Sequence, residues 1–159
     1  MTFIKIILIT SLLIVFWQDL KVREVYWFLF PIVAFTSGTL LFSKMFSELF
    51  YITLVINISF VLILILVIFI YSKIKLKSSI EKVFGLGDGL IFLALAFTFS
   101  SVSFLILFIF GLIFSLILHL VLKNKSEYTS VPLAGYLSLF FSISYISHWS
   151  GLLKTVYIV

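Results

Sequence analysis

The chain has 159 residues, 64% of them apolar or aromatic and 11% charged, with a mean hydropathy of +1.35 and a formal net charge of +5. A soluble domain carries about 25% charged residues, so this composition excludes a water-covered globule, and intrinsic disorder with it. The absence of cysteine excludes disulfide frameworks, thiolate metal sites and cysteine nucleophiles, and the scattered basic residues, with one arginine, exclude a nucleic-acid partner.

An all-α, polytopic membrane protein fits, with the lipid bilayer as its surroundings and residues 1–159 as a single domain. Crossing roughly 30 Å of hydrocarbon takes about 20 apolar residues. Apolar runs occupy 3–17, 25–42, 49–71, 90–122 and 131–146. The first run lacks a strong basic segment before it and a small-x-small site before Gln18, so it reads as a retained span rather than a cleaved signal. The fourth run is about 50 Å long as one helix. The polar Ser100-Ser101-Val102-Ser103 near its middle predicts two short helices and a tight turn. The expectation is a six-transmembrane-helix bundle.

Charge agrees with six. Sorted by alternate sides, Lys21, Arg23, Lys73, Lys75, Lys77, Lys82, Lys123 and Lys125 stand against Lys5, Lys44 and Lys154. The excess marks the cytoplasmic side and places both termini outside. Trp17, Trp27 and Trp149 lie near span ends, where aromatic residues favour the interface. The 73–81 segment reads as a solvated cytosolic connection.

Only two aspartates occur, Asp19 just after the first span and Asp88 just before the fourth. Parity puts both at the cytoplasmic end of their helices although 69 positions separate them. Two close carboxylates in a poorly solvated site hold one proton between them, which supplies the ionised base and the neutral acid that amide hydrolysis needs. Around Asp88 the chain reads Gly85-Leu86-Gly87-Asp88-Gly89, a glycine cluster that allows an extended substrate to lie close to the acid. Read structurally, the same residues make a turn with Asp88 as a helix N-cap. His119 and His148 fall at opposite ends of their spans, which predicts no shared metal, and no GxSxG accompanies His148-Trp149-Ser150-Gly151.

Gly85-Leu86-Gly87-Asp88 resembles the GxGD motif of membrane aspartyl peptidases. Asp19 after the first span, followed by Lys21 and Arg23, resembles the first aspartate motif of the type IV prepilin and preflagellin peptidases. The resemblance implies an aspartic-type endopeptidase that removes the basic leader of a prepilin-like membrane protein at the cytoplasmic face of the plasma membrane. It implies Asp19 and Asp88 as the catalytic pair, with Gly85, Gly87, Lys21 and Arg23 toward the substrate and no metal or organic cofactor. The chain departs from that pattern in having Glu24-Val25-Tyr26 where Ile-Pro often stands, and Leu90 where Lys often follows the second aspartate. It also lacks the cysteine-containing insert associated with N-methylation, so the resemblance implies peptidase activity without that methyl transfer. Presenilin-like GxGD proteases are similar in the second motif, but they carry a Tyr-Asp pair, where Gln18 stands here, and a later Pro-Ala-Leu element that Val131-Pro132-Leu133-Ala134 matches loosely. A small proton or cation transporter using Asp88, and a non-catalytic assembly factor, are the alternatives from other classes.

Overall fold

The computed structural model describes residues 1–75, 85–122, 131–153 and 156–157. The predicted connection at 73–81 lies largely outside these residues, and the charged segment 123–127 wholly so. Among the described residues the secondary structure is helical: α1 (Thr2–Lys21), α2 (Leu29–Phe42), α3 (Ser47–Ile74), α4 (Leu86–Leu95), α5 (Ser101–Leu122) and α6 (Leu133–Trp149). Three of them, α1, α3 and α5, are long and apolar enough to cross a membrane, whereas α2 and α4 are apolar but shorter.

Successive helices run in alternating directions. Asp19 near the end of α1 meets Gly135 at the start of α6, and Lys5 lies 4.8 Å from the centre of the Trp149 ring, so α1 and α6 are antiparallel. Phe30 of α2 faces Gly87 and Gly38 faces Phe97, so α2 and α4 run side by side in one direction. Gly111 of α5 packs against Leu137 and Phe141 of α6. The ends of α1 and α3 and the starts of α2, α4 and α6 therefore share one end of the bundle, called here the acid end. Among the described basic residues Lys21, Arg23, Lys73 and Lys75 belong to that end, and Lys5 and Lys44 to the other.

The surface is apolar and the interior is dotted with hydroxyls. Large side chains such as Leu66, Val67, Ile113, Leu116 and Leu120 are exposed, while Ser37, Thr98, Ser115 and Ser138 are fully buried. Exposed apolar area of this extent is compatible with a lipid environment. Small and hydroxylated residues inside let helices approach where no hydrophobic force draws them together.

The fourth run does divide into two helices, but only α4 is short, α5 having 22 residues, and the position of the break is corrected. Irregular backbone occupies 96–100, and Ser101-Val102-Ser103 form the first turn of α5 rather than the turn itself. Tertiary bonds set this position. Asn57 of α3, 1% exposed, donates from Nδ2 to the carbonyls of Ala96 (2.9 Å) and Phe99 (3.1 Å). The Tyr145 hydroxyl donates to the Thr98 carbonyl at 3.2 Å, and the Ser100 hydroxyl to that of Val156 at 3.2 Å. Non-helical backbone inside a bundle persists only when such partners satisfy it. Replacing Asn57 by Leu leaves two carbonyls without these donors. The expected result is a loss of about 1–3 kcal/mol per uncompensated group, read as a lower melting temperature in detergent. An unchanged melting temperature would show that the clasp carries no weight.

Candidate functional site

Each acid reaches the acid end by ordinary helix periodicity. Asp19 is 7% exposed and continues the buried face that carries Leu8, Leu12 and Val15, at the i+4, i+7 and i+11 spacing of one helical stripe. Beyond it α1 closes with the Val22 amide on the Gln18 carbonyl at 2.9 Å. Arg23 then takes φ = 62°, the left-handed conformation that costs an ordinary side chain roughly 1–2 kcal/mol. The Gln18 side chain fixes the returning segment of this turn by accepting a bond from the Tyr26 amide at 3.1 Å.

Asp88 lies in the first turn of α4. The N-cap is Gly85, with φ −67° and ψ 144°, so the alternative expectation of Asp88 as N-cap is corrected: Asp88 stands three residues inside the helix. Its amide donates to the Gly85 carbonyl at 3.1 Å. A Cβ added to Gly85 would stand 3.3 Å from Asp88 Oδ2, so the first glycine of the motif makes room for the acid of its own chain. Gly87 differs, since a Cβ there would meet only the tip of the Phe30 ring at 3.9 Å.

The third contributor is the start of α6. The first amides of a helix lack carbonyl partners within it, and the N-cap here is Pro132, whose side chain accepts nothing. The two acids serve instead. Ala134 donates its amide to Asp88 Oδ1 at 2.9 Å, and Gly135 donates to Asp19 Oδ2 at 2.6 Å. Consecutive helical amides confine these two carboxylate oxygens to within about 8 Å of each other. The positive end of the helix dipole faces both. Gly135 is essential to this approach: a Cβ there would lie 3.1 Å from both Cβ and Oδ2 of Asp19 and 3.2 Å from the Phe16 carbonyl oxygen.

The other expected site residues separate. Arg23 is half-buried, and its charge bears on both Asp19 and Asp88. Lys21 is exposed. His119 is buried on α5, and no group of three His, Asp or Glu able to hold a metal occurs among the described residues. His148 Nδ1 lies 2.7 Å from the Leu153 carbonyl oxygen, and Ser150 donates to Ser147, so neither forms a nucleophile–base pair. Ala134, Gly135 and Gln18 were not among the expected site residues. The signals they leave in the sequence are faint: a small Ala-Gly pair opening a span, and an amide beside the acid.

No protein-family model, no curated protein and no solved structure matches this chain.

Proposed function

We propose that this protein is an aspartic endopeptidase of the plasma membrane that cleaves the basic leader of a type IV prepilin-like substrate at the cytoplasmic face. The observation that carries the reading is the meeting of Asp19 and Asp88 on adjacent amides of α6. In this reading the chain crosses the membrane six times, both termini lie outside and the acid end faces the cytoplasm, where the basic residues concentrate.

The pair begins with one proton. The ionised carboxyl removes a proton from water as the oxygen attacks the scissile carbonyl, and the protonated carboxyl gives its proton to the carbonyl oxygen. Collapse of the tetrahedral diol breaks the C–N bond. One hydroxyl proton returns to the pair and the proton first taken from water passes to the leaving amine, which restores the single shared proton. Assignment of acid and base belongs to the pair, not to one residue. Arg23 supplies a fixed positive charge beside the acids, and Gly87 leaves backbone open on the side away from Phe30.

The presenilin-like reading gains one specific support, because Pro132-Leu133-Ala134 leads directly into the amides that hold the acids. One experiment separates the readings. Purified protein in proteoliposomes is incubated with a substrate carrying a basic leader ahead of an apolar helix, and the products are mapped by mass spectrometry. The expected result is a single cut at the junction of leader and helix, undiminished by chelators. A cut within the apolar helix favours the intramembrane protease. An intact substrate together with proton or cation flux that Asp88→Asn abolishes favours the transporter.

A further inference from the structure

Ser138 of α6 is fully buried, and its hydroxyl has no hydrogen-bond partner. Other buried hydroxyls in these helices return to the carbonyl four residues earlier: Ser37 to Val33, Ser115 to Gly111, Ser142 to Ser138 and Ser144 to Phe140. Ser138 makes no such bond to Ala134. Its donor and both acceptor positions are left for something else, and ordered water is the usual partner of a buried polar group that no protein atom satisfies.

The position is informative. Ser138 follows Gly135 by three residues, so it lies near the face of α6 that Gly135 presents to α1. Helix side chains lean toward the N-terminus, here toward the acids. One turn separates Ser138 from the amides that hold them, about 6 Å along the axis. A water bonded on two sides spans roughly 5.5 Å between its neighbours. The carboxylate oxygens stand 2.6–2.9 Å beyond those amides, a gap that one or two bridging molecules close.

We infer that the Ser138 hydroxyl binds a water molecule together with the Asp19–Asp88 pair and acts as the positioning residue for the water that the pair activates. The water site rests on the unpartnered buried hydroxyl and its place one turn from the acids. The catalytic role rests on the peptidase reading given above.

The chain has no cysteine, so Ser138→Cys introduces a single thiol of nearly the same shape. The full chain is reconstituted in liposomes and exposed to silver ion, a water-borne thiol probe, beside Ser142→Cys one turn deeper. Silver should modify position 138 and spare position 142. A protected thiol at 138, in a protein that melts normally, overturns the water site whether or not the wild type cleaves peptide. In the cleavage assay Ser138→Ala should lower kcat about tenfold, the worth of one hydrogen bond, with KM unchanged and the melting temperature retained. Ser138→Thr should recover part of the rate. Labelling at 138 with an unchanged kcat in Ser138→Ala overturns the positioning role, and a wild type without cleavage sinks the peptidase reading while the thiol arm still decides the water.

Discussion

If the proposed peptidase reading holds, Asp19→Asn and Asp88→Asn should each abolish leader cleavage, by about a thousandfold or more, while the bundle stays folded. The rate loss is the size expected when general acid–base chemistry is removed, because an amide neither takes nor gives the proton that the pair must pass between water and substrate. The retained fold follows from the hydrogen bonds. Asn still presents a carbonyl oxygen to the amide of Gly135 or Ala134, so the start of α6 keeps an acceptor in either variant. Turnover and melting temperature measured on the same preparations check both halves. In the wild type kcat should fall on both sides of an optimum, since doubly ionised and doubly protonated pairs both lack one of the two roles. Residual turnover within tenfold of wild type in either variant would exclude a carboxyl pair as the catalyst. A double variant should be no slower than the slower single one, because residues that act as a unit lose their effect together.

Most of the helical layout is legible in the sequence, and the reason is physical. Apolar runs long enough to bury a backbone's hydrogen bonds in lipid leave a strong pattern, and alternation of direction then assigns Asp19 and Asp88 to one end without any knowledge of packing. Depth is what such a pattern encodes. Contact is not. The partner of both acids, the start of α6, lies 116 positions from Asp19 and 46 from Asp88, and nothing local in Pro132-Leu133-Ala134-Gly135 announces that two carboxylates will cap it. The turn between α4 and α5 was displaced for the same reason. Serines suggested 100–103, whereas Asn57 and Tyr145 from other helices fix the break at 96–100. Asn57 itself could have been noticed, as a lone amide in a 28-residue apolar helix is costly unless it has work to do. Asp19 also carried a readable signal, because it extends the stripe Leu8, Leu12, Val15 inward rather than turning to the interface. Lys21 and Arg23 look equivalent in sequence, but the left-handed backbone at Arg23 directs one cation to the acids while Lys21 stays exposed.

Gly135→Ala separates the acids' geometry from their chemistry, and its effect should be second in size only to loss of an acid. The added methyl would enter a space bounded at 3.1 Å by Asp19 Cβ and Oδ2 and at 3.2 Å by the Phe16 carbonyl oxygen. The carbonyl oxygen belongs to α1's own backbone and cannot swing aside as a side chain would. Relief therefore requires α1 and α6, the most extensively paired helices of the bundle, to part by a few tenths of an ångström, or Asp19 to leave the Gly135 amide. Either movement lengthens a 2.6 Å hydrogen bond and alters the spacing of Asp19 from Asp88, which stays tied to Ala134. Overpacking of this kind costs about 1–3 kcal/mol of stability, and small displacements of catalytic groups cost up to about a hundredfold in rate. The expected result is a kcat lowered between tenfold and a hundredfold, with substrate still bound and the melting temperature reduced. Gly135→Val, with a branched side chain in the same space, should remove turnover altogether. By contrast Gly87→Ala meets only the tip of the Phe30 ring, so its fold should be unperturbed and its effect should fall on substrate binding, as a raised KM. Wild-type kcat in Gly135→Ala would mean that the amide contact to Asp19 is not part of the active arrangement, and that the acids meet through some other geometry during turnover.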